Sequence, residues 1–297
     1  MGDSQPAPSA ATVSAWLPRL VIAPGVLAAL LFIYGLIAWN GYLSMSASRL
    51  LPNYELVGLA QYAALADNER FSVALTNMAI FGGLFVAGAM AIGLVLAVLL
   101  DQKIRGEGVL RTVYLYPMSI SFIVTGTAWK WMLNPGLGLE HLVRGWGYES
   151  FTFEWLIDPD MAIYCIVIAG VWQSAGFVMA LFLAGLRGID DAILRAAQVD
   201  GASLPQIYWR ILIPSLRPVF FSTLMVVSHL AIKSFDLVMA LTAGGPGFAT
   251  DLPATFMYAT AFTRGQIGMG AAAAMVMLAT IAAIVVPYLY SELRMRR

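Results

Sequence analysis

The sequence predicts an all-α polytopic membrane protein with six transmembrane helices. Three observations carry this. Of 297 residues, 60% are hydrophobic and 11% charged, whereas a soluble domain carries about 25% charge. Six separate apolar stretches are each long enough to cross a bilayer, which takes about 20 residues of helix. A polar island over 190–218 interrupts them with helix-start and helix-stop signals of its own.

Residues 1–19 are rich in Ala, Ser and Pro, and only Arg19 among them is basic. They are expected to form a disordered tail. A cleavable leader needs a basic start and a short apolar core, but the first apolar stretch, 20 to about 42, is long enough to span and stay. Span two covers 73–100, where Gly83, Ala87 and Ala91 at spacing four mark a close helix contact; Gly270 and Ala274 do the same in span six, 268–290. Span three, 109–133, carries Pro117 and ends in Trp129, Lys130 and Trp131, residue types that anchor a helix at the membrane interface. The loop after it holds Glu140, Glu149, Glu154, Asp158 and Asp160 against Arg144.

Span four, 161–186, places Trp172 and Gln173 at membrane depth. An amide there is costly unless it faces the bundle interior or a wet cavity, so Gln173 is read as an interhelical hydrogen-bonding residue or as a ligand contact. Cys165 is a small buried hydrophobe that excludes an internal disulfide. Span five, 219–241, contains Lys233 and Asp236, which at spacing three on one helix share a face and neutralise one another. Gly244-Gly245-Pro246 then turns the chain out of the membrane. It is no phosphate loop, since no Gly-Lys-Ser/Thr opens a helix. His141 and His229 are too far apart for a metal site, and a net charge of zero gives no basis for nucleic-acid binding.

The 190–218 island reads as two short helices. Asp190 or Asp191 caps the first, Gly201 ends it in the left-handed conformation, and Ser203 with Gln206 forms a capping box around Pro205. Leu204, Ile207, Tyr208, Ile211 and Leu212 make an apolar stripe, and Pro214 and Pro218 prevent simple continuation. Lys and Arg accumulate on the cytoplasmic side of membranes. Arg19, Lys103, Arg105, Arg111, Arg187, Arg195, Arg210, Arg217, Arg294, Arg296 and Arg297 fall on one side, and Arg49, Arg70, Arg144 and Arg264 on the other. Both termini and the island are therefore expected in the cytoplasm.

Arg195-Ala196-Ala197 followed by Asp200-Gly201-Ala202, then Ile211 and Pro214, resembles the EAA loop of ABC importer permeases, with Arg195 where that family usually has glutamate. The segment from Trp129 to Gly136 resembles the WKWLFNPxxG run of carbohydrate-importer permeases. Phe235-Asp236 with Thr242-Ala243-Gly244-Gly245-Pro246 resembles their FDxxxxxTGGGP signature, Ala243 replacing its first glycine. The resemblance covers about 20–297. It implies a transport subunit, not an enzyme, whose 190–218 loop is the coupling helix that sits in a cleft of a cytoplasmic ATPase. Arg195, Ala196, Ala197, Asp200, Gly201, Ala202, Leu204, Ile207, Tyr208, Ile211 and Pro214 are the expected coupling residues. Trp172, Gln173, Phe235 and Asp236 are substrate-pathway candidates, an indole face stacking on a sugar ring. The implied partners are a second, commonly different, permease, two ATPases that use ATP and Mg, and an external sugar-binding protein, all at a bacterial or archaeal cytoplasmic membrane. No cofactor is expected on this chain. The resemblance implies a monosaccharide such as glucose or a small oligosaccharide as substrate, with an ABC permease for a polyol or glycerol phosphate as the alternative. An ion-coupled secondary transporter is a further competing reading, but Asp236 and Lys233 are too few intramembrane charges for it; an intramembrane enzyme would need a dyad or metal cluster at membrane depth that the sequence lacks.

Overall fold

The computed structural model describes residues 11–51, 53–102 and 104–295, and among them the chain is helical, with one isolated β-bridge between Ser46 and Leu56. The first span is α1 (Pro18–Ser44), whose helix begins at Ala11, inside the segment expected to be a disordered tail. Alanine is the best helix former, and Ala11 and Ala15 lie in this opening turn and a half. Residues 1–10, Lys103, Arg296 and Arg297 lie outside the described residues.

Short α2 (Ala60–Ala66) leads into α3 (Glu69–Asp101), capped by Asn68, whose side chain accepts from the Phe71 amide at 3.1 Å. Next come α4 (Glu107–Ser119), α5 (Phe122–Met132), α6 (Leu139–Gly145) and α7 (Ala162–Arg187). Helices α3 and α7 form the centre of the bundle. They touch through glycine: a Cβ on Gly93 would lie 2.5 Å from Val178 Cγ1 and 2.9 Å from the Met179 nitrogen. The stripe Gly83, Ala87 and Ala91 is instead exposed, with nothing within 4 Å of a Cβ on Gly83. The expectation for that face fails because the large Phe81 and Phe85, on the neighbouring face, are the residues drawn into the core. In span six the expectation holds for Gly270, where a Cβ would fall 2.6 Å from that of Ala261.

Span three is broken. Its halves α4 and α5 meet at 99°. Pro117 removes a backbone donor in the last turn of α4, Ile120 is extended (φ −84°, ψ 142°), and Ser121 starts a new helix by accepting from the Val124 amide at 3.3 Å. The break is held by α7. Gln173 Nε2 donates to the Ile120 carbonyl at 2.7 Å, and a Cβ on Gly176 would meet the Tyr114 oxygen at 1.8 Å.

After α7 come α8 (Asp191–Val199) and α9 (Leu204–Ser215), the latter wound as a π-helix over Tyr208–Leu212. Helix α10 (Arg217–Ile232) leaves α9 at 65°. Span five also breaks, at Lys233–Phe235, before α11 (Asp236–Leu241). Helix α11 lies against α5, where a Cβ on Gly126 would come 2.6 Å from the Ala240 Cβ and 3.0 Å from the Leu237 oxygen. Helix α12 (Pro253–Tyr258), a π-turn over Ala259–Thr263 and α13 (Ile267–Met295) close the chain.

Two cores result. The larger joins α3, α7, α9, α10 and α11; the smaller gathers Leu65, Phe71, Ala74, Phe256, Ala272 and Ala273 from α2, the start of α3, α12 and α13. A loop of 242–252 fastens the second core to α3. Arg70 pairs with Asp251, which is 1% exposed and also accepts from Thr255 Oγ1 at 2.6 Å; Asn77 Nδ2 donates to the Asp251 and Phe248 carbonyls at 3.0 and 3.2 Å. The Arg70 guanidinium also lies 4.4 Å from the centre of the Phe248 ring. Burying a carboxylate is costly unless it is paired and hydrogen-bonded in this way.

Candidate functional site

The 190–215 loop is built as the local signals foretell. Asp190 caps α8 by accepting from the Ala192 amide at 2.8 Å, and Gly201 ends it at φ +80°. The Ala202 amide donates to the Ala197 carbonyl and the Gly201 amide to the Gln198 carbonyl, both at 3.0 Å, which is the paired bonding of a Schellman turn. Such a turn also brings its third-last helical residue against the residue after glycine. Here these are Ala197, buried, and Ala202, partly buried against the same core. This gives Ala197, Gly201 and Ala202 a physical role: a tight bend that turns on the left-handed backbone of Gly201 and is seated on the core through the two alanines. Gln206 then accepts from the Ser203 amide at 2.9 Å, and Pro205 lies in the first turn of α9.

The apolar stripe points the other way from expectation. Ile207, Tyr208 and Leu212 are buried in the chain's own core, and Ile211 packs against them. An apolar stripe on a helix lying over a bundle is buried first by the bundle beneath it. The outward surface is made of Arg195, Ala196, Val199, Asp200, Gly201, Leu204 and Pro214, with Val199 87% and Trp209 73% exposed. Among the described residues Arg195 forms no ion pair. The Tyr208 hydroxyl donates to Asp101 Oδ2 at 2.7 Å, and Arg187 pairs with Glu107 at 2.8 Å and more loosely with Asp101 at 3.9 Å. Those residues line a cavity of 730 Å³ between the loop and the ends of α3 and α7.

The four pathway candidates divide. Phe235 and Asp236 come together with Lys233, His229 and Tyr258 around a cavity of 470 Å³ between α10, α12 and α13. Two rings of its wall touch, Phe235 and Tyr258 at 5.0 Å between ring centres, and Tyr258 in turn meets Phe262 outside the cavity at 5.3 Å. Lys233 and Asp236 are both exposed and form no ion pair, because the helix that would put them on one face ends between them. Trp172 lies elsewhere, edge-on to Trp129 at 5.9 Å and lining an apolar cavity of 870 Å³ between α3, α4 and α7. Gln173 is buried; its Nε2 donates to the Ile120 carbonyl, and its Oε1 has no hydrogen-bond partner among the described residues. That bond is the interhelical contact the sequence suggests for a membrane-depth amide. Among the described residues no cluster of His, Cys, Asp and Glu could hold a metal ion. The sequence reading missed Lys233 and His229 as cavity residues, and it missed Asp101. The signal was present for Asp101, a carboxylate at the helix end where the dipole disfavours it.

A family model described as binding-protein-dependent transport system inner membrane component matches residues 89–297. A probable ABC transporter permease protein of Pyrococcus horikoshii is 40% identical over 273 residues, covering 91% of this chain and 94% of that protein. The xylose/arabinose import permease protein XacH of Haloferax volcanii is 35% identical over 264 residues, 88% of this chain and 83% of its own length. Among solved structures, a bacterial ABC transporter involved in the import of the acidic polysaccharide alginate superposes with a TM-score of 0.82 at 20% identity, over 95% of this chain and 96% of that one, a likeness of fold. Helix-turn-helix loop, broken spans and sequence relatives lead to one assignment: the chain is a multi-pass membrane protein of the carbohydrate ABC transporter permease family, a transport subunit and not an enzyme.

Proposed function

We propose that this chain forms half of an alternating-access pathway for a sugar, a monosaccharide or small oligosaccharide, and that the 190–215 loop couples it to cytoplasmic ATPases. The observation that carries this is the loop itself: its inner side is packed into the core, while Arg195, Ala196, Val199, Asp200 and Leu204 stand exposed on its outward side. The excess of Lys and Arg on the same side supports a cytoplasmic position for the loop and both termini. ATP and magnesium are used by the ATPases. A second, different permease completes the pathway, and an external binding protein delivers the sugar; a bacterial alginate ABC transporter of similar fold has been solved in complex with an alginate pentasaccharide-bound periplasmic protein.

The sugar path on this subunit is the cavity of Phe235, Tyr258, Lys233 and Asp236, where rings offer apolar faces and the charged groups offer donors and acceptors to hydroxyls. Relatives include a permease named for xylose and arabinose, one for trehalose and maltose, and one for glycerol 3-phosphate. A neutral sugar fits this cavity better than a phosphate, since Lys233 is accompanied there by Asp236. The test is reconstitution of the chain with its genomic-neighbour permease and ATPase in vesicles. ATP-dependent uptake of labelled xylose, glucose or maltose is expected, lost in Phe235→Ala with Tyr258→Ala. Uptake of glycerol 3-phosphate alone would refute the sugar reading.

A further inference from the structure

Asp101 ends α3 at the pole where a helix repels negative charge. It is held there by two groups from outside the helix, the Tyr208 hydroxyl at 2.7 Å and, more distantly, Arg187 at 3.9 Å. Tyr208 belongs to α9, and 8% of it is exposed. A part-buried polar bond that opposes a local preference adds little to folding that a phenylalanine packed on a leucine would not supply. It does fix direction: the bond ties one point of the loop to one end of α3.

The opposite end of α3 is tied as well. Asn77 donates to the carbonyls of Phe248 and Asp251, and Arg70, about two turns earlier on the helix, pairs with Asp251. Between Asn77 and Asp101 the helix has no break, and at 1.5 Å per residue it covers about 36 Å. Glycine contacts along that length, Gly88 on Val171 and Gly93 on Val178, hold it close against α7.

We propose that Tyr208 and Asp101 form the joint through which movement of the 190–215 loop enters α3, and that α3 delivers it to the 242–252 loop on the far face. Tyr208 is then a positioning residue. The inference rests on the reading of the 190–215 loop as the ATPase-docking element. A displacement of α9 is passed to Asp101 by a directed bond, and a continuous helix carries it to Asn77 without attenuation. Both carbonyls that Asn77 holds belong to the loop facing the other side of the membrane, so that loop shifts with the helix.

The experiment uses the full transporter, assembled with its own ATPases in nanodiscs. Cysteine is placed in the far loop as Ala249→Cys, the native Cys165 being buried, and its labelling by a membrane-impermeant maleimide is compared without nucleotide and after trapping with ATP, magnesium and vanadate. Rates are counted per vanadate-trapped complex. A difference is expected in the parent protein. Tyr208→Phe keeps the ring and removes only the hydroxyl, and should shrink that difference about fivefold, the ratio that one such hydrogen bond supports. Asp101→Asn still accepts the bond and should retain most of the response, whereas Asp101→Leu should lose it, and Tyr208→Phe combined with Asp101→Leu should do no worse than either alone. An unchanged response in Tyr208→Phe, equal losses in Asp101→Asn and Asp101→Leu, multiplying losses in the double variant, or no response in the parent overturns the joint. Failure of any ATPase to assemble with the parent chain would instead overturn the docking reading beneath it.

Discussion

Replacing Gly201 by valine isolates the bend of the coupling loop from everything around it. The residue sits at φ +80°, and a Cβ built there meets no heavy atom within 4 Å. The cost is therefore in the backbone alone. A left-handed conformation costs an ordinary L residue roughly 1–2 kcal/mol, with β-branching at the upper end. If the backbone escapes by leaving that region, it forfeits the two turn bonds from Gly201 to Gln198 and from Ala202 to Ala197, at about 1 kcal/mol each. Either way the penalty lands on the turn, because the neighbouring spans are held by contacts that do not involve it. Gly201→Val should thus leave the melting temperature of the solubilised chain nearly unchanged while ATPase co-purification and ATP-dependent uptake fall. Gly201→Asn, which tolerates the left-handed region, should keep most of both. Equal damage by asparagine and valine would show that side-chain bulk, not backbone conformation, matters here, and full activity of the valine variant would show that the bend is dispensable.

Three further outcomes are expected. Ala243 stands at φ +54°, so Ala243→Gly should remove about 1 kcal/mol of strain and raise the melting temperature; a lower one would mean that the methyl packs usefully. Gln173→Leu leaves the Ile120 carbonyl without its partner at the span-three break and should destabilise by about 1–3 kcal/mol, read from thermal unfolding in detergent, with uptake per folded molecule preserved if the residue does not touch substrate. Arg195→Ala should leave ATPase assembly intact and Arg195→Glu should alter its salt dependence, since an exposed arginine contributes about 0–1 kcal/mol; loss of assembly with alanine would identify an essential ion pair.

Local chemistry was legible in the sequence and tertiary facing was not. Asp190, Gly201, Ser203, Pro205 and Gln206 act within a few residues of themselves, and their caps and bend appear as their types dictate. The four unbroken spans were readable from length and apolarity alone. Hydropathy does not register a bend, however, so the breaks at Ser119–Ser121 and Lys233–Phe235 passed as continuous helix despite Pro117. Nor does periodicity say which of two neighbours an apolar stripe will meet. The stripe pattern of Ile207, Tyr208 and Leu212 suits an outside partner as well as the bundle beneath, which has the first claim on them, and the spacing of Gly83, Ala87 and Ala91 looks like a packing face although Gly88 and Gly93, beside them, make the contact. Asp251 and Arg70 are 181 residues apart, a pairing that no local pattern reveals.

The bond from Gln173 to Ile120 has a consequence for how the protein is made. During synthesis span three enters the membrane with a kinked backbone whose carbonyl has no partner, and the glutamine that answers it lies 53 residues further on. At ribosomal speed, about 5–20 residues per second, that interval lasts roughly 3–10 s. For those seconds the nascent half-molecule carries a polar group that lipid cannot satisfy, so a chain stalled before residue 173 should linger beside the insertion machinery or be handed to quality control, while one stalled just after span four should be released.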